Sequence, residues 1–444
     1  MAFDGRIVGT WRGGPVGRWT GAAAGASLVT LLLALASRAP GAPLRAGPAG
    51  PEVRISGASA TGDDLWPAVG WNGGADDYLV VWEDRRNGAS RGSDVFGRRV
   101  SAVGSVVGTD FRISGARATS DERHPAVVWN PGEGEYLVVW SDRRNFPARG
   151  WDVFGRRVSG SGVALGTDFR ISGPRATSDD LYTAVAWNSA EGEYLVVWED
   201  QRNVDARGRD VFGRRVSAEG SVLGKDFRIS GARATAHDRH PAVAWNGTEY
   251  LVVWHDGRNM AARSWDVFGR RVSAAGVPVG PDFRISGPGA TAGEWVPSVA
   301  WSGTEYLVVW EDARNLEARS YDVFGRRVSG SGVPLGGDFR ISGPGATAGD
   351  FYPAVAWNGA AGEYLVVWGD GREASTRGWD VFGRVVSASG SPAGADFRIC
   401  GPGADAGDAY AEVACSASGC LVAWHDERNE AARGWDIFGR RVSG

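Results

Sequence analysis

The chain has 444 residues, 23% of them charged, with a formal net charge of -4 and a single lysine, Lys225, among 48 basic residues. No basic run or stripe occurs, which removes the electrostatic footprint of a nucleic-acid binder. The length allows two or three ordinary domains unless the chain is built from repeats.

At the N-terminus Arg6, Arg12 and Arg18 precede an apolar stretch, 22–36, that ends in Ala34-Leu35-Ala36. A basic region, an apolar region and a small-residue site in that order predict a secretory signal over 1–36. The stretch is short for a membrane span, and no Cys follows it to carry a lipid. We therefore expect an exported protein, secreted, periplasmic or held at the cell surface. Residues 37–52 are rich in Pro, Gly and Ala and read as a linker. Then comes VRIS (53–56), the end of a motif whose beginning is missing. The full form recurs as FRIS at 111–114, 169–172, 227–230, 283–286 and 339–342, and as FRIC at 397–400.

From there the chain repeats itself. Trp82, Trp140, Trp198, Trp254, Trp310, Trp368 and Trp424 each end an apolar run, at intervals of 58, 58, 56, 56, 58 and 56 residues. A fixed period of this length marks a solenoid, a propeller or an array. Within the fourth unit, PAVAWN (241–246), EYLVVWHD (249–256), DVFGRRVS (266–273) and DFRIS (282–286) are short runs rich in Val, Trp, Tyr and Phe, bounded by turn residues. That is the strand signature, and no segment carries a helical period. Four antiparallel strands per unit, seven times over, predict an all-β, seven-bladed β-propeller across 53–444; an open β-solenoid is the alternative. The seventh unit stops after its third strand, and VRIS is a fourth strand without the other three. A ring lets the N-terminal strand complete the last blade, whereas an open array leaves two bare edges.

The two-residue variation in period comes from one hairpin. Four residues separate the Trp and Tyr in WNGTEY (245–250), and six do so in WNPGEGEY (129–136). An even insertion preserves the inside/outside alternation of the strands. In the seventh unit the pair is Cys415 and Cys420, which a two-residue turn at Ala417-Ser418 sets opposite each other, close enough for a disulfide. Two free buried thiols are the alternative. Cys400 is left over as a small buried residue.

Several polar positions recur in every unit: the Asp two residues after the Trp (Asp84 to Asp426), an Arg two further on (Arg86 to Arg428), a second Arg (Arg91 to Arg433), and the Asp and Arg of D-[VI]-F-G-R (Asp94 to Asp436, Arg98 to Arg440). Identical repetition predicts structural ties between loops and strands. The loop before each first strand is less uniform. It carries an acid at Asp64, Glu122, Asp180, Asp238, Glu294, Asp350 and Asp408. Two positions on stand Trp66, His124, Tyr182, His240, Val296, Tyr352 and Tyr410. These residues form a candidate ligand ring for a cation, a sugar or a basic peptide, with calcium possible at the acids; pairing of each acid with a loop Arg is the alternative. The hairpin register also sets His240 opposite His255 beside His237, a candidate zinc site.

FRIS resembles the F-R-I-P motif of sialidases, which are propellers whose motif Arg grips a substrate carboxylate. Here the Pro is Ser, the motif occurs in every unit, and the S-x-D-x-G-x-x-W boxes are missing. The repeat as a whole, Y-L-V-V-W with D-V-F-G-x-R-V, resembles exported bacterial repeat proteins expected to form propellers. Neither resemblance implies an activity. From near-identical units we expect a monomeric, non-enzymatic binding or scaffolding protein, its ligand a glycan, peptide or protein, with no required cofactor. A glycan-active or metal-dependent hydrolase on the same ring is the alternative.

Overall fold

The computed structural model describes residues 46–443 apart from 60, 117–118, 175–177, 233–235, 290–291, 347 and 402–406; the expected signal, 1–36, lies outside the described residues. The described chain forms seven four-stranded antiparallel sheets. In blade four the strands run, from the axis outwards, Asp238–Trp245, Glu249–Asp256, Asp266–Ser273 and Pro278–Arg284. The outer strand thus begins four residues before the DFRIS segment. One-turn helices such as Met260–Arg263 sit between second and third strands, too short to leave a helical period in the sequence.

Blade seven is assembled from both ends of the chain. Its inner three strands are Asp408–Ser416, Gly419–Asp426 and Asp436–Ser443, and its outer strand is Gly47–Arg54. The closing strand therefore reaches six residues into the stretch read as linker. Glu52 is the reason it matters: Arg428 bridges Asp426 at 2.5 Å and Glu52 at 2.9 Å. In blade two the same bridge runs from Arg144 to Asp142 and Asp168, each at 2.5 Å. EVRIS at the N-terminus is thus the seam's version of DFRIS.

The YLVVW strands are buried on both faces, which explains their unbroken apolar run. Each side packs on a neighbouring blade. Leu79, Val81, Val95 and Ile113 of blade one meet Tyr136, Val138, Trp140 and Phe154 of blade two. Ile55, Leu421 and Ile437 of blade seven meet Tyr78, Val80 and Trp82 of blade one in the same way. The Trp and Tyr flanking the hairpin remain cross-strand partners in long and short versions, as in Trp129↔Tyr136 and Trp245↔Tyr250. Cys415 and Cys420 take that position in blade seven and are disulfide-bonded.

The recurring Asp and Arg are structural ties. The Arg86-type guanidinium lies over the Phe of DVFG in all seven blades, 3.9–4.1 Å from the ring centroid, a cation–π contact. The Arg98-type side chain donates to the Ile carbonyl of the preceding blade: Arg156 to Ile113 at 2.8 Å, Arg440 to Ile399 at 2.9 Å, and Arg98 across the seam to Ile55 at 3.0 Å. The FRIS arginines, themselves partly exposed, pair with the buried Asp of DVFG, as in Arg170–Asp152 at 2.6 Å. None is free to grip a substrate.

One expectation of register is corrected. Each inner strand contains a β-bulge, and in blade four it falls between Arg239 and Ala242, so that His255 pairs with Arg239 and not with His240. The bulge residue has left-handed backbone in every blade, from φ 46° at Val296 to φ 54° at Tyr182. Non-glycine residues rarely occupy that region, and the strain turns these side chains towards the axis.

Candidate functional site

The bulge separates the two halves of the expected ligand ring. The acids Asp64, Glu122, Asp180, Asp238, Glu294, Asp350 and Asp408 have no exposed surface. Each is the cross-strand partner of the Asp after the Trp, as in Asp64↔Asp84. Burial first, and then the neighbouring carboxylate, pushes Asp64, Asp180 and Asp238 far above the ordinary range; Glu294, Asp350 and Asp408 reach about 8, 9 and 10 for related reasons. These carboxylates are sealed inside the blades, where burial favours their protonated form.

Trp66, His124, Tyr182, His240, Val296, Tyr352 and Tyr410 instead line an axial chamber of about 430 Å³. Their rings converge: Tyr182 stacks on His240 at 3.9 Å, Tyr352 lies 3.9 Å from Tyr410, and Trp66 lies 3.9 Å from Tyr410. Burial takes His124 and His240 down to about 3, so both are neutral. Of the three candidate zinc ligands, His240 and His255 come together, their ring centroids 5.1 Å apart, but His237 does not join them in a three-ligand group. The Nδ1 atom of His237 accepts the Arg209 amide at 3.2 Å, and that of His255 accepts the Val296 amide at 3.2 Å. Among the described residues, only Asp380, Cys400 and Asp408 bring three metal-capable atoms within 4.8 Å of one another. That group repeats the Asp–Ser–acid cluster of the other blades, with Cys400 in the Ser position, donating to Asp380 at 3.3 Å.

Real asymmetry lies just outside the chamber, at the residue between the Trp and the Asp of the second strand. Glu83, Glu199 and Glu311 occupy it in blades one, three and five, all buried. Glu199 is gripped by Arg209 of its own blade at 2.5 Å and by Arg239 of the next at 3.3 Å. Arg85 holds Glu83 at 3.0 Å, with Arg123 at 3.9 Å. In blade five the positions of Arg209 and Arg239 are taken by Tyr321 and Phe351. Among the described residues, the Oε1 atom of Glu311 accepts only the Tyr352 amide, at 2.6 Å. Burial without a counter-charge raises its carboxyl to about 7.

Around Glu311 the rings form an arc. Trp295 is its cross-strand partner. Trp295 and Tyr321 are 5.5 Å apart, Tyr321 and Phe351 4.8 Å, and Phe351 and Trp379 5.0 Å. Gly293 and Gly349 make it possible, because a Cβ at either would strike the ring of Trp295 or Phe351. Sequence reasoning missed this site, searching for histidines and for the recurring acids. The usable signal was a clamp of two arginines replaced by two aromatics around an unchanged Glu.

No family model and no curated protein matches the sequence. Among solved structures, the ring is similar to an α-L-arabinanase of Penicillium chrysogenum complexed with arabinobiose, at 13% identity over 89% of this chain and 98% of that one, TM-score 0.49. It is similar also to the GH93 α-L-arabinofuranosidase of Fusarium graminearum with arabinobiose, at 13% identity, 88% and 97% coverage, TM-score 0.48. A third is a mutant of Trypanosoma rangeli sialidase displaying trans-sialidase activity, at 11% identity, 77% and 56% coverage, TM-score 0.44. The expectation of a non-enzymatic protein is corrected by these neighbours, which are enzymes. The likeness is one of fold, and the chemistry has to come from this chain's own residues. No helix among the described residues is long and apolar enough to cross a membrane, and the disulfide is consistent with an extracellular protein.

Proposed function

We propose that the protein is an exported glycan-active hydrolase working at the aromatic arc of blades five and six. The observation that carries this is Glu311, a carboxyl buried among rings without a counter-charge and raised to about 7, where its counterpart Glu199 is clamped by two arginines. Glycoside cleavage needs a carboxylic acid that still holds its proton at working pH to protonate the leaving oxygen, and a second, ionised carboxylate. Glu311 is the proton donor. Glu83 and Glu199 sit in blades one and three, each held by arginines of their own surroundings, and are not part of this arc. Trp295 and Phe351 offer the flat apolar faces against which a sugar ring packs.

The test is a hydrolysis screen of the exported chain on arabinan, galactan, sialosides and aryl glycosides, a panel taken from the neighbours' substrates. Glu311→Gln keeps the acceptor for the Tyr352 amide and removes the proton. We expect it to lower kcat by about 100-fold or more with an unchanged melting temperature. A wild-type chain inert on the whole panel, or an active Glu311→Gln variant, overturns the reading.

A further inference from the structure

The axial chamber contains a second asymmetric acid. The position two residues after the bulge is Ala68, Ala126, Ala184, Ala242, Ser298 and Ala354 in the first six blades and Glu412 in the seventh. The Glu412 carboxyl projects into the chamber, open to its interior and encircled by protein. The wall is otherwise mostly proline, alanine and valine from the seven inner strands, with Thr183 and Ser298, and with the rings of Trp66, His124, Tyr182, His240, Tyr352 and Tyr410 at the end nearer the loops. Among the described residues, no Lys or Arg lines it.

We infer that this chamber is a binding site for a small organic ammonium ion, its charge set against Glu412 and the aromatic faces and its carbon substituents against the apolar wall. Three features converge on that ligand. A single carboxylate in a cavity without a basic partner favours a cation. Aromatic faces attract ammonium groups, quaternary ones included. A volume of about 430 Å³ lies within the range of small-molecule sites. A metal ion is a poorer fit, because one carboxylate cannot supply the oxygens that a hard cation requires.

Burial raises the Glu412 carboxyl to about 7, against a small opposing effect of the Val413 amide. The flanking inner strands, Asp64–Asn72 and Asp350–Asn358, turn only Trp66 and Tyr352 of their ring-bearing residues to the chamber, and the other titratable groups lining it are His124, Tyr182, His240 and Tyr410. Both histidines are neutral and the tyrosines are pushed upwards by burial, so the site's charge near neutrality is that of Glu412. Only its ionised form attracts a cation.

The experiment is calorimetric titration of the exported chain with tetramethylammonium and n-butylammonium chloride at pH 8 and pH 6, with n-butanol as the neutral control. We expect saturable binding at pH 8, about tenfold weaker at pH 6, and none in Glu412→Ala or Glu412→Gln. The alanine variant copies the residue that five other blades carry, so it folds; the glutamine variant keeps the shape and loses the charge. Hydrolysis at the arc is expected to survive both, which separates this inference from the one above. Absence of ammonium binding at pH 8, equal binding by either variant, or butanol binding as tightly as butylammonium overturns it.

Discussion

The chemistry of this ring turns on what surrounds a carboxyl, since the same residue type serves opposite ends. Glu199 and Glu311 stand at equivalent positions two blades apart, one between Arg209 and Arg239, the other beside Tyr321 and Phe351. A charge pair favours the ionised form and an apolar pocket the neutral one. Restoring the clamp therefore tests the assignment. The double variant Tyr321→Arg, Phe351→Arg should lower the Glu311 carboxyl and shift the alkaline limb of the pH–rate profile downwards by at least about one unit. An unchanged limb would mean that Glu311 is not the group that titrates. Glu199 and Glu311 look alike in the sequence, and only comparison of their partners, one in the same blade and one in the next, separates them.

The inner strand carries an unusual electrostatic load. Each blade buries an acid, Asp64 to Asp408, beside a second carboxylate, and all seven are raised above their ordinary values. The folded state therefore binds more protons than the unfolded one between about pH 4 and the raised values, and stability falls as pH rises through that window. Glu311 and Glu412, both about 7, act in the same direction. Buried neutral His124, His240, His255 and His425 act oppositely, because the unfolded chain protonates them below about pH 6.5. The seven acids outnumber the five lowered histidines, His237 included, so the melting temperature should be higher at pH 5 than at pH 8. A rise from pH 5 to pH 8 would show that the acid pairs are ionised. The strands and their hairpin register were legible from period and alternation. The bulge was not, because a left-handed residue before Pro241 leaves no mark in an apolar pattern, and so His240 was set opposite the wrong partner.

At the scale of the whole molecule the seam decides cooperativity. Ile55 is fully buried against blade one, its carbonyl accepts Arg98, and the Ser56 hydroxyl donates to Asp436 at 3.1 Å. Losing the Ile55 contact alone costs about 1.5–3 kcal/mol, before the strand's hydrogen bonds and the Glu52–Arg428 bridge are counted. Deletion through residue 56 should lower the melting temperature markedly and broaden the transition, whereas deletion of 37–46 should leave it unchanged. Equal stability of the two truncations would overturn the closure.

The number of blades, the strand content and the split seventh blade follow from the sequence by itself, because repeated burial imposes a period that any reader can count. The function-bearing asymmetry was decided by tertiary structure. An acid's charge depends on neighbours 10 to 41 residues away in the chain, some in its own blade and some in the next. That is why Asp64 to Asp408, prominent as a motif, lie sealed and protonated inside the blades, while Glu311 and Glu412, inconspicuous in the chain, face the arc and the chamber.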